Sequence, residues 1–520
     1  MTRMHKGVLW IPALLLLSSC AGLPSGPHVV LPQQYRMAQA PLVTMFERHS
    51  GRIAILDDNG NLVIMDQTGG NVVKITSDGD ANASQQSGST SSLETAYQYP
   101  AWSPNAQQIA IVEMNSVRAS TSRTIELGAD AVTVQRGDQS VTIQQNSTGS
   151  TAQRDPGTMS VFQQPSRVII ENSTGGEVIN SSIFLASSSG KTPLQELYNQ
   201  KGGSVGYLDW SPDGTQLGFL AQGQQSETNL SVVPKDAGKR FRVLAGISAA
   251  WNWRPDGKAI IAKVDTSNTG NTADLDEWTV QSGKPAVTLQ QNTDMPFTTP
   301  SYSPDGKAIL LTVTTDGHTY LALADRQGNI LRQLSPVKGY VSYVWSPTSA
   351  QVAYIDTVVS SSDNDLLQGP TGGTLHVLDV NTGVDRVLTP FPVTSFFWSP
   401  NGQRIAAFSP VKPGQMMTNF PGMDLTSSQP GSMYMLQTID VSTRAARLLF
   451  YLEPTDAFSR MLDQFDRFSQ AATIWSPDSD HLVLSIIDAN QQSSIIETEA
   501  SGSVEPRVLS QGTLAVWSPR

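Results

Sequence analysis

The chain has 520 residues, enough for two to four average domains or for one large propeller or barrel. It is 39% apolar and 15% charged, with a mean hydropathy of -0.20, which excludes wholesale disorder and a multi-spanning membrane protein. A formal charge of -11 argues against nucleic acid and against a general embrace of anionic lipid, both of which need clustered Lys and Arg.

Residues 1–19 read as an export signal. Arg3, His5 and Lys6 give a basic start and Val8 through Leu17 a short apolar run, about half the roughly 20 residues a membrane span needs. Loss of this leader removes Arg3 and Lys6 and takes the charge from -11 to -13. Leu17-Ser18-Ser19-Cys20 resembles the lipobox of bacterial lipoproteins, and Cys20 is the one cysteine in the chain. That excludes internal disulfides and thiolate metal sites. The resemblance implies lipid attachment at Cys20, a membrane partner through that lipid and an extracytoplasmic body. Residues 20–50, rich in Pro, Gly and Gln, are expected to form a tether.

From residue 51 onward the sequence is organised by a repeat, an aromatic residue followed by Ser-Pro-Asp/Asn-Gly or a near variant. It occurs at Trp102, Trp210, Trp253, Tyr302, Trp345, Trp398, Trp475 and Trp517. Pro suits the first corner of a turn, Asp or Asn the second, and Gly tolerates positive φ, so each phrase reads as a strand end and a hairpin turn. Three further short strands follow, as in Lys307–Leu311, Tyr320–Asp325 and Ile330–Leu334. Anchors 210, 253, 302 and 345 stand 43 to 49 residues apart, close to the roughly 40–50 of a four-stranded propeller blade.

The repeat resembles the PD40 units of the TolB-like, WD40-like propellers. The resemblance implies an all-β propeller over residues 51–520, and by analogy a protein-interaction role in the bacterial envelope. Eight anchors predict eight blades, and the long gap from 102 to 210 leaves seven as the alternative. Leu514–Pro519 ends as a first strand ends, while residues 52–76 supply three strands, so one blade is expected to close the ring from both termini.

Two inserts are expected, at about 114–180 and 410–470. The first carries short alternating pieces at Ala131–Val134 and Arg167–Ile170. The second carries Met416, Met417, Phe420, Met423, Met433 and Met435, then Phe458, Met461, Leu462, Phe465 and Phe468 at helical spacing after Pro454-Thr455-Asp456. That stripe predicts a helix that packs on its own blade or on a partner.

Motifs for chemistry are sparse. Gly202-Gly203-Ser204-Val205-Gly206 has the form of a nucleophile elbow, but it enters a predicted blade strand and reads as a Gly-rich loop. His28, His49, His318, His376 and His481 show no metal-ligand spacing. Asp57-Asp58-Asn59-Gly60-Asn61, Asp363-Asn364-Asp365 and Asp274-Leu275-Asp276-Glu277 lack a complete calcium loop and read as solvated turns. No catalytic, metal or cofactor residue is assigned and no cofactor is expected. The leading expectation is a lipid-anchored, non-enzymatic scaffold for an envelope protein partner. The second is binding of a small envelope ligand, a glycan or peptide, in the central channel in aid of a transporter or sensor. A propeller hydrolase or lyase comes third, since it needs a convergent acid–base pair from distant blades.

Overall fold

The computed structural model describes residues 36–37, 50–79, 92–118, 120–126, 132–136, 139–146, 149–152, 159–164, 167–173, 179–222, 228–236, 241–246, 249–264, 272–280, 284–294, 300–338, 340–357, 372–411, 433–466, 472–488 and 490–520. They build eight four-stranded blades arranged in a ring, so the alternative of seven is set aside.

Blade 1 closes the ring. Leu514–Trp517 forms its inner strand and pairs antiparallel with Ile53–Leu56, in the register Ile53 with Trp517 and Leu56 with Leu514. Leu62–Met65 and Val73–Lys74 complete it. The inner strands of blades 2 to 7 end at Trp102, Trp210, Trp253, Tyr302, Trp345 and Trp398. The long gap before Trp210 holds a regular blade 2 whose second and third strands are Gln108–Arg118 and Ile179–Ser187. Beyond them the first insert forms two three-stranded antiparallel sheets, which include Val132–Arg136 and Arg167–Ser173.

The repeated turn is held by a fixed set of hydrogen bonds. In blade 3 the Ser211 hydroxyl donates to Asp213 Oδ1 at 2.6 Å, and that oxygen accepts the Thr215 amide at 3.0 Å. Ser211 Oγ also accepts the Gln216 amide at 3.0 Å. Gly214, at φ 67°, closes the turn onto the Ser211 carbonyl at 2.8 Å. Ser303 and Asp305 repeat the set, and the Ser303 hydroxyl with the Lys307 amide and side chain pulls Asp305 down to about 2.

The recurring tryptophan has its own role, because its indole reaches back to the preceding blade. Nε1 of Trp102, Trp210, Trp253, Trp398 and Trp475 donates to the carbonyl of Val516, Ala101, Asp209, Val344 and Phe397, at 3.3, 3.0, 3.3, 3.1 and 3.0 Å. Each acceptor is the residue just before the previous anchor. Five of the eight blade interfaces are thus latched at the depth of the inner strands, whereas Nε1 of Trp345 and of Trp517 is buried without a partner.

The second insert is smaller than its sequence suggests. Tyr434–Asp440 and Ala446–Leu452 are the third and fourth strands of blade 7, with Tyr434 opposite Pro410 and Ile439 opposite Ile405. The expectation that residues 410–470 lie outside the repeat is therefore corrected. Their turn was hidden because Arg444, at φ 61°, stands where other blades place Gly. The Asp440 carboxylate accepts the Thr443 amide at 2.8 Å and its carbonyl the Arg444 amide at 2.8 Å, matching Asp379, Thr382 and Gly383 of blade 6.

Blade 8 has a divided inner strand. Pro454 bridges to Ile486 and Trp475 to Leu482 on the same second strand, His481–Ile487, so residues 456–472 enter between two halves of one strand. On the outer edge of that blade Arg36–Met37 pairs in parallel with Arg507 and Val508, which places part of the expected tether against the body.

Strand order also sorts the two faces. Successive antiparallel connections alternate between the ends of a blade, so all Ser-Pro-Asp/Asn turns lie on one face. The connections after Arg118, Gln222, Val264, Thr357 and Pro410 leave from the opposite face.

Candidate functional site

The innermost strands border the ring axis, and their side chains alternate between the two neighbouring blades. Since each anchor points back, the residue before it points forward to the next blade. Those residues are Val516, Ala101, Asp209, Asn252, Ser301, Val344, Phe397 and Ile474. Polar side chains thus sit on blades 3, 4 and 5 in succession, and the rest of this belt is apolar. Asn252 Oδ1 accepts the Tyr302 amide at 3.3 Å, in keeping with the forward direction.

Asp209 is the exceptional member. It is 4% exposed, lies opposite Gly218 in the sheet and shares its face. Trp251 of blade 4 lies on that face, so close that a Cβ on Gly218 would stand 2.3 Å from its ring. Trp251 meets Tyr207 edge-on at 5.5 Å and Trp253 at 5.9 Å. Among the described residues the Asp209 carboxyl has no hydrogen-bond or ion-pair partner, and burial pushes it up to about 8. Trp251 Nε1 is buried without a partner too. Just before Asp209 a bulge sets Tyr207 at φ 52°, a costly conformation for an aromatic residue, and Tyr99 of blade 2 repeats it at φ 53°.

The opposite arc is closed by apolar packing. Helix α1, Asp456–Asp463, starts at Thr455, whose hydroxyl caps the Phe458 amide at 3.3 Å. Phe458, Met461, Leu462 and Phe465 are buried, with Phe465 4.8 Å from Phe396 and Phe458 5.8 Å from Phe408. The predicted stripe is therefore core. Met416, Met417, Phe420, Met423 and Phe468 lie outside the described residues.

Cys20, residues 1–19, His28, His49 and the cluster Asp363-Asn364-Asp365 also lie outside the described residues. The Asp57 cluster is the expected turn, with Oδ1 accepting the Asn59 and Asn61 amides at 3.0 and 2.8 Å. The Asp274–Glu277 cluster is not a turn, which corrects that expectation. It lies in the strand Thr272–Thr279, and Glu277 is 4% exposed. Glu277 Oε1 meets Arg254 at 2.8 Å and Arg326 at 3.1 Å, and Oε2 accepts the Tyr302 hydroxyl at 2.7 Å. Two departures from the repeat, Arg254 for Ser and Tyr302 for Trp, thus converge on one carboxylate that joins blades 4 and 5. Glu497 holds the equivalent register position in blade 8, where Arg507 pairs with it at 2.8 Å and reaches the Gln67 carbonyl of blade 1 at 2.8 Å.

Ser204 opens the inner strand of blade 3, and a Cβ on Gly203 would stand 2.1 Å from the Gln222 carbonyl, so the Gly-rich segment is a tight strand entry. His318 is exposed. His481 Nε2 stands 3.6 Å from Glu497. His376 stacks on Tyr354 at 4.6 Å, and its Nδ1 lies 3.1 Å from Asp385 Oδ1. Ser335 donates to Asp385 Oδ2 at 2.6 Å. Ser and His thus share a carboxylate and do not face each other, so no base activates the hydroxyl. Burial raises Asp385, but bonds from His376, Ser335 and Tyr354 outweigh it and hold the carboxyl low.

No protein-family model and no curated protein sequence matches the chain. Among solved structures it is similar to TolB from Acinetobacter baumannii at 14% identity and TM-score 0.34, over 70% of this chain and 82% of that one. A eukaryotic initiation factor aligns at 13% identity and TM-score 0.44, over 91% and 99%. An oligogalacturonate lyase in complex with manganese aligns at 12% identity and TM-score 0.38, over 68% and 84%. The geometry of its own repeat makes this chain an eight-bladed β-propeller.

Proposed function

We propose that this protein is a lipid-anchored, extracytoplasmic propeller that works as a non-enzymatic scaffold, holding a protein partner in the bacterial cell envelope. The observation that carries this reading is the asymmetry of its faces. Hydrogen-bonded Ser-Pro-Asp/Asn turns occupy one face, and the strands that precede the long connections end at the other, where a rigid framework can present segments to a partner. No helix of the described residues is long and apolar enough to cross a membrane, and the lipid on Cys20 supplies the anchor.

Two measurements test this. Cys20→Ala, once exported and processed, is expected to move from the membrane fraction to the soluble fraction. Retention after a high-salt wash would refute the anchor. A photo-crosslinking residue at exposed His318, on the connection face, is expected to trap a defined envelope protein in cells. The same residue at Lys307, 84% exposed in a Ser-Pro-Asp-Gly turn, is expected to trap none. Equal adducts from both sites would remove the face assignment.

The second reading, binding of a small envelope ligand at the axis, is favoured by Asp209, a buried carboxyl that meets no partner among the described residues.

A further inference from the structure

Buried polar groups in folded proteins are nearly always paired, and an exception asks for an occupant. The interface of blades 3 and 4 holds three among the described residues, the Asp209 carboxyl and the indole N–H groups of Trp251 and Trp278. We propose that this part of the axial wall binds a small organic ammonium ion, with Asp209 taking the charge and Trp251 and Tyr207 the carbon skeleton. The proposal deepens the ligand-binding reading and rests on it.

Two observations select this chemistry. Asp209 is the sole acid in its belt of eight inner-strand residues, and no Lys or Arg among the described residues pairs with it. Calcium or magnesium would need about six oxygen ligands, whereas one carboxylate among indole and phenol rings suits an alkylammonium, which gains both ion pairing and cation–π attraction. Asn252 and Ser301 continue the polar arc onto blades 4 and 5 and supply oxygens for a longer ligand.

Burial favours the neutral acid, and the rings packed against it from Tyr207, Trp251 and Trp253 carry no charge at neutral pH. Binding of a cation must therefore expel a proton from Asp209. Its affinity is expected to rise about tenfold per pH unit up to about 8, where Asp209 titrates, and to level off above.

The test is calorimetric titration of the full-length lipidated protein in detergent with butylammonium chloride between pH 6 and 9, against sodium chloride at equal ionic strength. Saturable binding to one site with that pH profile, weakened at least tenfold in Asp209→Asn at pH 9, is the expected result. No saturable binding at pH 9, or an affinity flat from pH 6 to 8, would overturn it even if the variant fails to fold. So would unchanged binding by Asp209→Asn. A neutral disaccharide is titrated in parallel. If it binds and butylammonium does not, ligand binding stands and the ammonium assignment falls; if neither binds, both fall.

Discussion

Deletion of residues 512–520 is expected to abolish the single cooperative unfolding transition. The segment carries Trp517, Val516 and Leu514, which are 1%, 1% and 8% exposed. Removing a buried Trp costs about 3–5 kcal/mol, and burying an aliphatic side chain contributes about 1.5–3 kcal/mol. The sum is comparable with the whole stability of a typical domain, about 5–15 kcal/mol. The deletion also strips the inner partner from Ile53–Leu56 and takes away the carbonyl that latches Trp102. Near-UV circular dichroism during thermal unfolding reads the outcome. A midpoint equal to that of the intact protein would contradict closure by this strand.

Glu277→Ala is expected to destabilise by about 3–5 kcal/mol, the range for breaking a buried ion pair from one side. It removes one of the two carboxylates on the Arg254 guanidinium, whose side chain is 14% exposed and which keeps Asp256 at 2.8 Å, and it leaves the Tyr302 hydroxyl without its acceptor. Arg326→Ala should cost less, because that side chain is 43% exposed and water can replace the lost contact. Asp236→Ala, which breaks an exposed pair with Lys235, should stay within about 0.5 kcal/mol. Denaturant midpoints in that order support the network as the substitute for the tryptophan latch at this interface. A Glu277→Ala midpoint equal to that of Asp236→Ala would show that it holds nothing.

The repeat was legible because one short phrase has to satisfy a turn, a strand end and, in five blades, a blade-to-blade hydrogen bond at once. Few residues do all three, so Trp, Ser, Asp and Gly recur. Where a single requirement was met by another residue, the signal faded. Arg444 adopts the left-handed conformation without being Gly, and two strands of blade 7 were read as an insert. The division of the inner strand of blade 8 escaped detection because its halves, near Pro454 and Trp475, are contiguous in space and not in sequence. Arg254 and Tyr302 were visible as departures from the phrase, yet their shared partner Glu277 lies in an acidic run that resembled a turn. Asp209 offered one usable signal, an acid directly before an anchor where most blades carry an apolar residue. Its lack of a partner exists only in three dimensions.

The strands that precede the long connections end on one face and Asp209 meets blade 4 because the ring closes in one particular register, and that register can be trapped covalently. Ile55 and Ala515 are directly opposed, both 1% exposed, between the hydrogen-bonded pairs of the closure. Cα atoms at such non-hydrogen-bonded positions are roughly 4.5 Å apart, within reach of a disulfide. In a Cys20→Ala background, which leaves no native thiol, Ile55→Cys with Ala515→Cys is predicted to oxidise to an intramolecular disulfide in monomeric, folded protein. Two free thiols after oxidation of the folded monomer, or disulfides formed only between molecules, would contradict the closed ring.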